Sequence, residues 1–178
     1  GVISADEFVT RTAGKQNLSY APIIEVAKTL FGEVVGLNLP RSIKKQVMES
    51  GISSVDQDLI PHNHRLGSSS YLSRFKQAMG GHAPDEVIMK YFLAQSLTDS
   101  VMSYQSYENH HNLSYIIAGS FHTDFFDGTV AMLKELTIQP VTSLKVVNLD
   151  GLSESEINNY NLEDKSYGYY ADFIIYSK

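Results

Sequence analysis

The chain has 178 residues, 43% of them hydrophobic and 19% charged, which suits one domain with a sizeable core and excludes a disordered tail or a fibrous repeat. A formal net charge of −6 argues against nucleic acid as a partner, and no apolar run approaches the roughly 18 residues that a membrane-spanning helix needs. The lack of cysteine excludes a disulfide scaffold, a thiolate zinc site and a cysteine nucleophile in these residues.

The first elements read as helix, helix, strand, helix. Ser4 is an N-cap ahead of the acidic first-turn residues Asp6 and Glu7, and Gly14 is a stop. Residues 20–30 carry Pro22 in a first turn and the helically spaced Ile23, Ile24, Val26, Ala27 and Leu30. Residues 34–39 are a short apolar run of the kind found in buried strands. Residues 40–48 predict a helix closed by Gly51, and residues 53–70 a long loop of the kind that often carries function.

Helix resumes over 71–79 and stops at Gly80-Gly81, and the longest helix runs from Asp85 to Glu108 behind Pro84. Residues 114–118 read as a second strand and residues 123–136 as a further helix. Residues 144–149 and 172–176 complete the strands. There is no internal repeat and no sign of a second domain, so 1–178 reads as a single α/β domain. The succession predicts a three-layer α/β/α fold with a mainly parallel sheet. A doubly wound chain usually begins with a strand and this one begins with a helix. The expectation is therefore a sheet that lacks its N-terminal strand, supplied by a preceding segment.

On the long helix, Val87, Tyr91, Ala94, Thr98 and Val101 have the spacing of a core stripe. Beside them Gln95, Asp99 and Met102 share one face. That face is either a solvated stripe or a set of polar groups turned into a pocket, and spacing does not choose between them. The apolar 116–118 run leads through Gly119 and Ser120 to His122, at the strand end where open α/β sheets bind ligands. His122 is a ligand candidate there, with helix capping as the plain alternative. His82 sits ahead of a helix start, His62 and His64 lie in the polar loop, and His110 and His111 follow a helix end, where imidazole suits the dipole. No G-x-S-x-G elbow, H-E-x-x-H pair or P-loop occurs.

Several segments taken together are more specific. They are Tyr20-Ala21-Pro22-Ile23-Ile24, Gly36-Leu37-Asn38-Leu39-Pro40-Arg41 with Gly51, His82 ahead of the run from Ala94-Gln95 to Asp99 and Met102, and Ala118-Gly119-Ser120-Phe121-His122. In this order they resemble the ChaN-like haem-binding, or iron-regulated, protein family over about residues 4–150. The chain departs from that family's pattern in three places. Ser103 follows Met102 where alanine is usual, the strand end lacks the second glycine of G-x-G-H, and no G-E-x-H motif occurs.

The resemblance implies haem as cofactor, and a non-enzymatic role in iron acquisition. It implies a periplasmic or outer-membrane-anchored lipoprotein of a Gram-negative bacterium, working with outer-membrane haem transport machinery. It also implies a tyrosine ligand to iron at a homodimer interface, and the residues expected to form the site in this chain are Tyr71, His82, His122, Gln95, Asp99 and Met102. The alternative is a metal-dependent hydrolase of the same superfamily, related to Tiki proteins and erythromycin esterases.

Among eleven tyrosines, Tyr71 is the expected iron ligand. It follows the Gly67–Ser70 loop, starts a helix whose apolar side carries Leu72, Phe75 and Met79, and has Arg65 and Arg74 nearby to lower a phenol pKa or meet propionates. Met89 joins the expected apolar lining, and His82 or His122 would bond the phenolate or face the haem. A tyrosine that merely anchors the helix start is the alternative.

Overall fold

Helix dominates the computed structural model, which describes residues 3–80, 82–110 and 113–178. Gly81 and His111, parts of an expected helix stop and an expected histidine pair, lie outside the described residues. The chain divides into two compact units, with the boundary after Gly36.

In the first unit, α1 (Ala5–Thr12) starts at Ser4, whose Oγ accepts from the Glu7 amide at 3.1 Å. α2 (Ala21–Thr29) carries Pro22 in its first turn. Ala5, Val9 and Ala21 are buried together, with Phe8 and Ile24 against them. Small side chains here let the two short helices approach closely.

The second unit is Leu37–Lys178. α3 (Arg41–Ser50) and the long α5 (Asp85–Glu108) close over an apolar cluster of Leu39, Val47, Val55, Ala94 and Leu97. Burying each large side chain in such a cluster stabilises by about 1.5–3 kcal/mol. α4 (Ser69–Ala78) begins where Ser68 Oγ accepts from the Tyr71 amide at 3.0 Å. Within α5 the expected stripe holds in the second half, where Ala94 and Thr98 are buried and Val101 packs on the apolar cluster, but not in the first, where Val87 and Tyr91 are exposed. The neighbouring Ile88, Phe92, Asp99 and Met102 are buried as well, and α4 packs on the Phe92 side through Tyr71 and Phe75.

The expected helix over 123–136 is shorter. Two 3₁₀ turns, Ser120–His122 and Asp124–Phe126, precede α6 (Gly128–Leu136). Left-handed backbone at Phe125 and Phe126 interrupts the helix there.

The sheet is small. β1 (Leu144–Asn148) and β2 (Phe173–Ser177) pair in parallel, with Leu144 opposite Phe173 and Asn148 opposite Ser177. α7 (Glu154–Asn161) connects them behind a capping box of Ser153 and Glu156. Residues 34–39 and 114–118, expected as strands, pair with nothing among the described residues. Val35 in the first segment and Tyr115 and Ile117 in the second are exposed. A strand needs a neighbour to take its backbone hydrogen bonds, and these segments have none. The fold is thus mixed helix and strand with a two-stranded parallel sheet. No helix among the described residues is long and apolar enough to cross a membrane.

Candidate functional site

Asp99 is fully buried in the middle of α5 and is the hub of a polar network. Three donors converge on it. Tyr71 donates its hydroxyl to Oδ2 at 2.9 Å, and Thr129 donates to Oδ1 at 2.8 Å. His122 Nδ1 lies 2.7 Å from Oδ1. A carboxylate can only accept, so the shared proton belongs to Nδ1. Gln95 Nε2, 3.0 Å from the same nitrogen, donates instead to the Tyr71 oxygen at 2.8 Å. Charge-assisted bonds of this kind compensate the desolvation of a buried carboxylate.

Two glycines make the convergence sterically possible. A Cβ on Gly128 would stand 2.8 Å from the His122 carbonyl oxygen and 2.9 Å from Asp99 Oδ1. One on Gly67 would stand 2.6 Å from the Tyr71 ring. The start of α6 and the loop before α4 can close on the network only because both side chains are missing.

The Tyr71 phenol is held neutral. Burial and then the Asp99 charge push its pKa up, and the Gln95 bond and Arg74 offset only part of this. Its ring is fully buried, edge-on to Phe92 at 5.4 Å and 5.4 Å from Phe121.

A second cluster adjoins the first. Arg74 Nε donates to Asp127 Oδ2 at 3.1 Å, and Ser68 donates to Oδ1 at 3.1 Å. The guanidinium lies 4.9 Å from the centroids of both Phe121 and Phe125 and 5.3 Å from that of Tyr71. Burial raises the Asp127 pKa, against the pull of Arg74 and Ser68. Arg65, also expected beside Tyr71, instead pairs with Glu135 at 2.7 Å.

The structure thus brings Tyr71, Gln95, Asp99 and His122 together. Met102 is buried one turn further along α5, its sulfur 4.0 Å from Thr129 Oγ1. His82 is exposed ahead of α5 and makes no hydrogen bond or ring contact with the cluster. Phe75 packs on Phe92 and Phe121, while Leu72, Met79 and Met89 are half-buried. Thr129 and the Arg74–Asp127 pair complete the network without having been singled out together in the sequence. The run Asp127-Gly128-Thr129 reads as a helix start and so marks Asp127 and Thr129, although the Asp127 carboxylate accepts from Arg74 and Ser68 and makes no cap bond. Among the described residues no group of three or more His, Asp or Glu side chains is arranged to hold a metal ion.

The chemistry available is that of an oriented imidazole. Asp99 accepts the hydrogen bond from Nδ1, so in the neutral ring the lone pair lies on Nε2, which has no hydrogen bond among the described residues. The His122 side chain is 18% exposed.

Residues 1–133 match the family model described as haem-binding uptake, Tiki superfamily, ChaN, and the chain belongs to that family. No curated protein and no solved structure matches it.

Proposed function

We propose that this chain, as a member of the haem-binding uptake family, binds haem in the service of iron acquisition, at the edge where His122 leaves the Asp99 network. The observation that carries the placement is the 2.7 Å bond from His122 to Asp99, which leaves Nε2 free as a donor. Haem, when bound, would supply an iron centre open to a nitrogen or phenolate ligand. His122 offers the nitrogen as it stands. Tyr71 offers the oxygen only if its ring is uncovered and its proton passes to Asp99, which already accepts that hydrogen bond.

Half-buried Phe121, and Tyr91 one helical turn from Gln95, give aromatic surface beside His122. Two concavities elsewhere are lined by other residues, one by Leu152, Glu156, Asn159, Tyr160 and Tyr170, the other by α1 and α2. The reading includes a second copy of the chain, which would cover apolar haem surface left exposed beside His122. The same reading includes a three-layer α/β/α fold in which residues 34–39 and 114–118 acquire strand partners. It also includes a periplasmic or outer-membrane setting beside a haem transporter.

Titration with haem, followed in the visible spectrum, tests this. A saturable Soret shift at micromolar haem is expected, weakened in His122→Ala, with sedimentation showing a dimer when haem is present. No spectral change in the parent chain overturns haem binding, and an unchanged His122→Ala titration moves the site elsewhere. Tyr71→Phe separates the two donors, because only a tyrosine ligand would change the spectrum on loss of the oxygen.

A further inference from the structure

The turn that carries His122 is strained, and much of what restrains it comes from residues beyond the family match. Phe125 and Phe126 both adopt left-handed backbone, with φ of 60° and 58°. Bulky residues take that conformation only where their surroundings impose it. Residues beyond 133 supply several of the restraints. The Phe125 amide donates to the Tyr170 carbonyl at 2.8 Å, and the two rings lie 4.2 Å apart. Lys145 Nζ donates to Asp124 Oδ2 at 2.7 Å, with both side chains nearly buried. Tyr167 packs on Phe125 at 5.4 Å, and its hydroxyl is 3.3 Å from Ser73 on α4.

Lys145 and Tyr170 are themselves tied together. Lys145 lies on β1 opposite Ile174 of β2, and the Asp172 carboxylate accepts from the Ser143 amide at 2.7 Å. β1 and the segment that enters β2 therefore present a cation and an aromatic ring to one turn. That turn holds Asp124, two residues after His122, and ends at Gly128, which sits against Asp99.

We propose that Lys145 and Tyr170 are positioning residues for His122: by clamping Asp124 and Phe125 they keep the strained turn in the one conformation that lets Nδ1 reach Asp99. The consequence for haem rests on the reading above, whereas the geometry is tested without haem.

Nitrogen and proton NMR of the full chain reads the His122 ring directly, since an imidazole N–H held on a buried carboxylate exchanges slowly with water. Lys145→Met and Tyr170→Ala are expected to speed exchange of that proton by about ten-fold or more, while the Leu97 amide keeps its protection. Lys145→Arg is expected to restore slow exchange. Unchanged His122 exchange in both variants overturns the proposal, and so does an equal loss of protection at Leu97, which would mean general loosening.

Should Lys145→Met fail to fold, Tyr170→Ala alone and in combination with Phe126→Gly decides the matter. Glycine at 126 removes strain without touching Tyr170, so it is expected to bring the proton back toward slow exchange; if it does not, strain is not what the clamp opposes. If the NMR effect is present while the parent chain binds no haem, the positioning role stands and the haem reading falls.

Discussion

The two faces of α5 solve opposite problems with residues a few positions apart. On one face Ala94 and Leu97 meet Leu39, Val47 and Val55 in an apolar cluster. On the other, Gln95, Ser96, Asp99 and Ser100 meet Tyr71, Gly67, His122, Thr129 and His64 through hydrogen bonds. The apolar face is non-directional, so its stabilisation scales with area removed from water. The polar face contributes little net stability, but each donor must meet its acceptor or a desolvated group is stranded. Stability therefore resides largely on the first face and geometry on the second.

The largest expected effect comes from removing the hub. Asp99→Ala strands the Tyr71, Thr129 and His122 donors together, and about 3–5 kcal/mol of stability is expected to go with them. Asp99→Asn sharpens the comparison. It keeps the volume, and with its amide oxygen in the Oδ1 place it still accepts from His122 and Thr129 while its NH2 faces the Tyr71 oxygen, so thermal stability should fall less and the His122 tautomer should hold. An NMR tautomer assignment that stays Nδ1–H in Asp99→Ala would refute the orienting role.

Leu97→Ala tests the other face. A fully buried leucine in a packed cluster is expected to cost about 3 kcal/mol on truncation, read from the urea midpoint. The His122 tautomer should be untouched. A changed tautomer in this variant would break the division between the faces.

Sequence spacing placed Gln95, Asp99 and Met102 on one side of α5, and left open whether that side met solvent or a pocket. The partners were not legible because they arrive from far along the chain: Tyr71 lies 28 residues before Asp99, and Thr129 lies 30 after it. The Tyr71 phenol shows the limit of local reading. Nearby arginines suggested a lowered pKa, but burial and Asp99 act more strongly and in the opposite direction. The helix over 123–136 was readable only from Gly128 onward, because the clamp that holds Phe125 left-handed comes from Tyr170. β1 and β2 were legible as apolar runs. α7 carries its own signal in Ser153-x-x-Glu156, which a strand-centred reading of residues 144–176 passes over.

Tyr71→Phe comes next in size. It strands the Gln95 amide, while Asp99 keeps Thr129 and His122 as donors, so roughly 1–3 kcal/mol is expected, toward the lower end. The ring contacts with Phe92 and Phe121 survive, which confines the loss to the oxygen. A loss as large as that of Asp99→Ala would mean that Tyr71, not Asp99, organises the polar face.

The smallest effect is a pH dependence at the far end of the same face. The Ser100 hydroxyl donates to the Ser96 carbonyl at 2.9 Å, so His64, 2.9 Å from Ser100 Oγ, must donate its Nδ1–H. Burial holds the His64 pKa below its ordinary 6.5. As pH falls past 6.5 the unfolded chain takes up a proton that the folded chain refuses, so this contribution is complete above 6.5 and is lost as pH drops toward the folded value. Asp124 and Asp127, raised by burial above 3.8, act in the opposite sense: their contribution is fully present below 3.8 and is lost as pH rises through their raised values. His64→Gln removes the imidazole term and leaves both carboxylates. On going from about pH 7.5 to about pH 5.5 the urea midpoint should therefore fall further, or rise less, in the parent chain than in His64→Gln. Equal differences would mean that His64 takes up its proton as readily folded as unfolded, and that this end of the polar face is not closed to water.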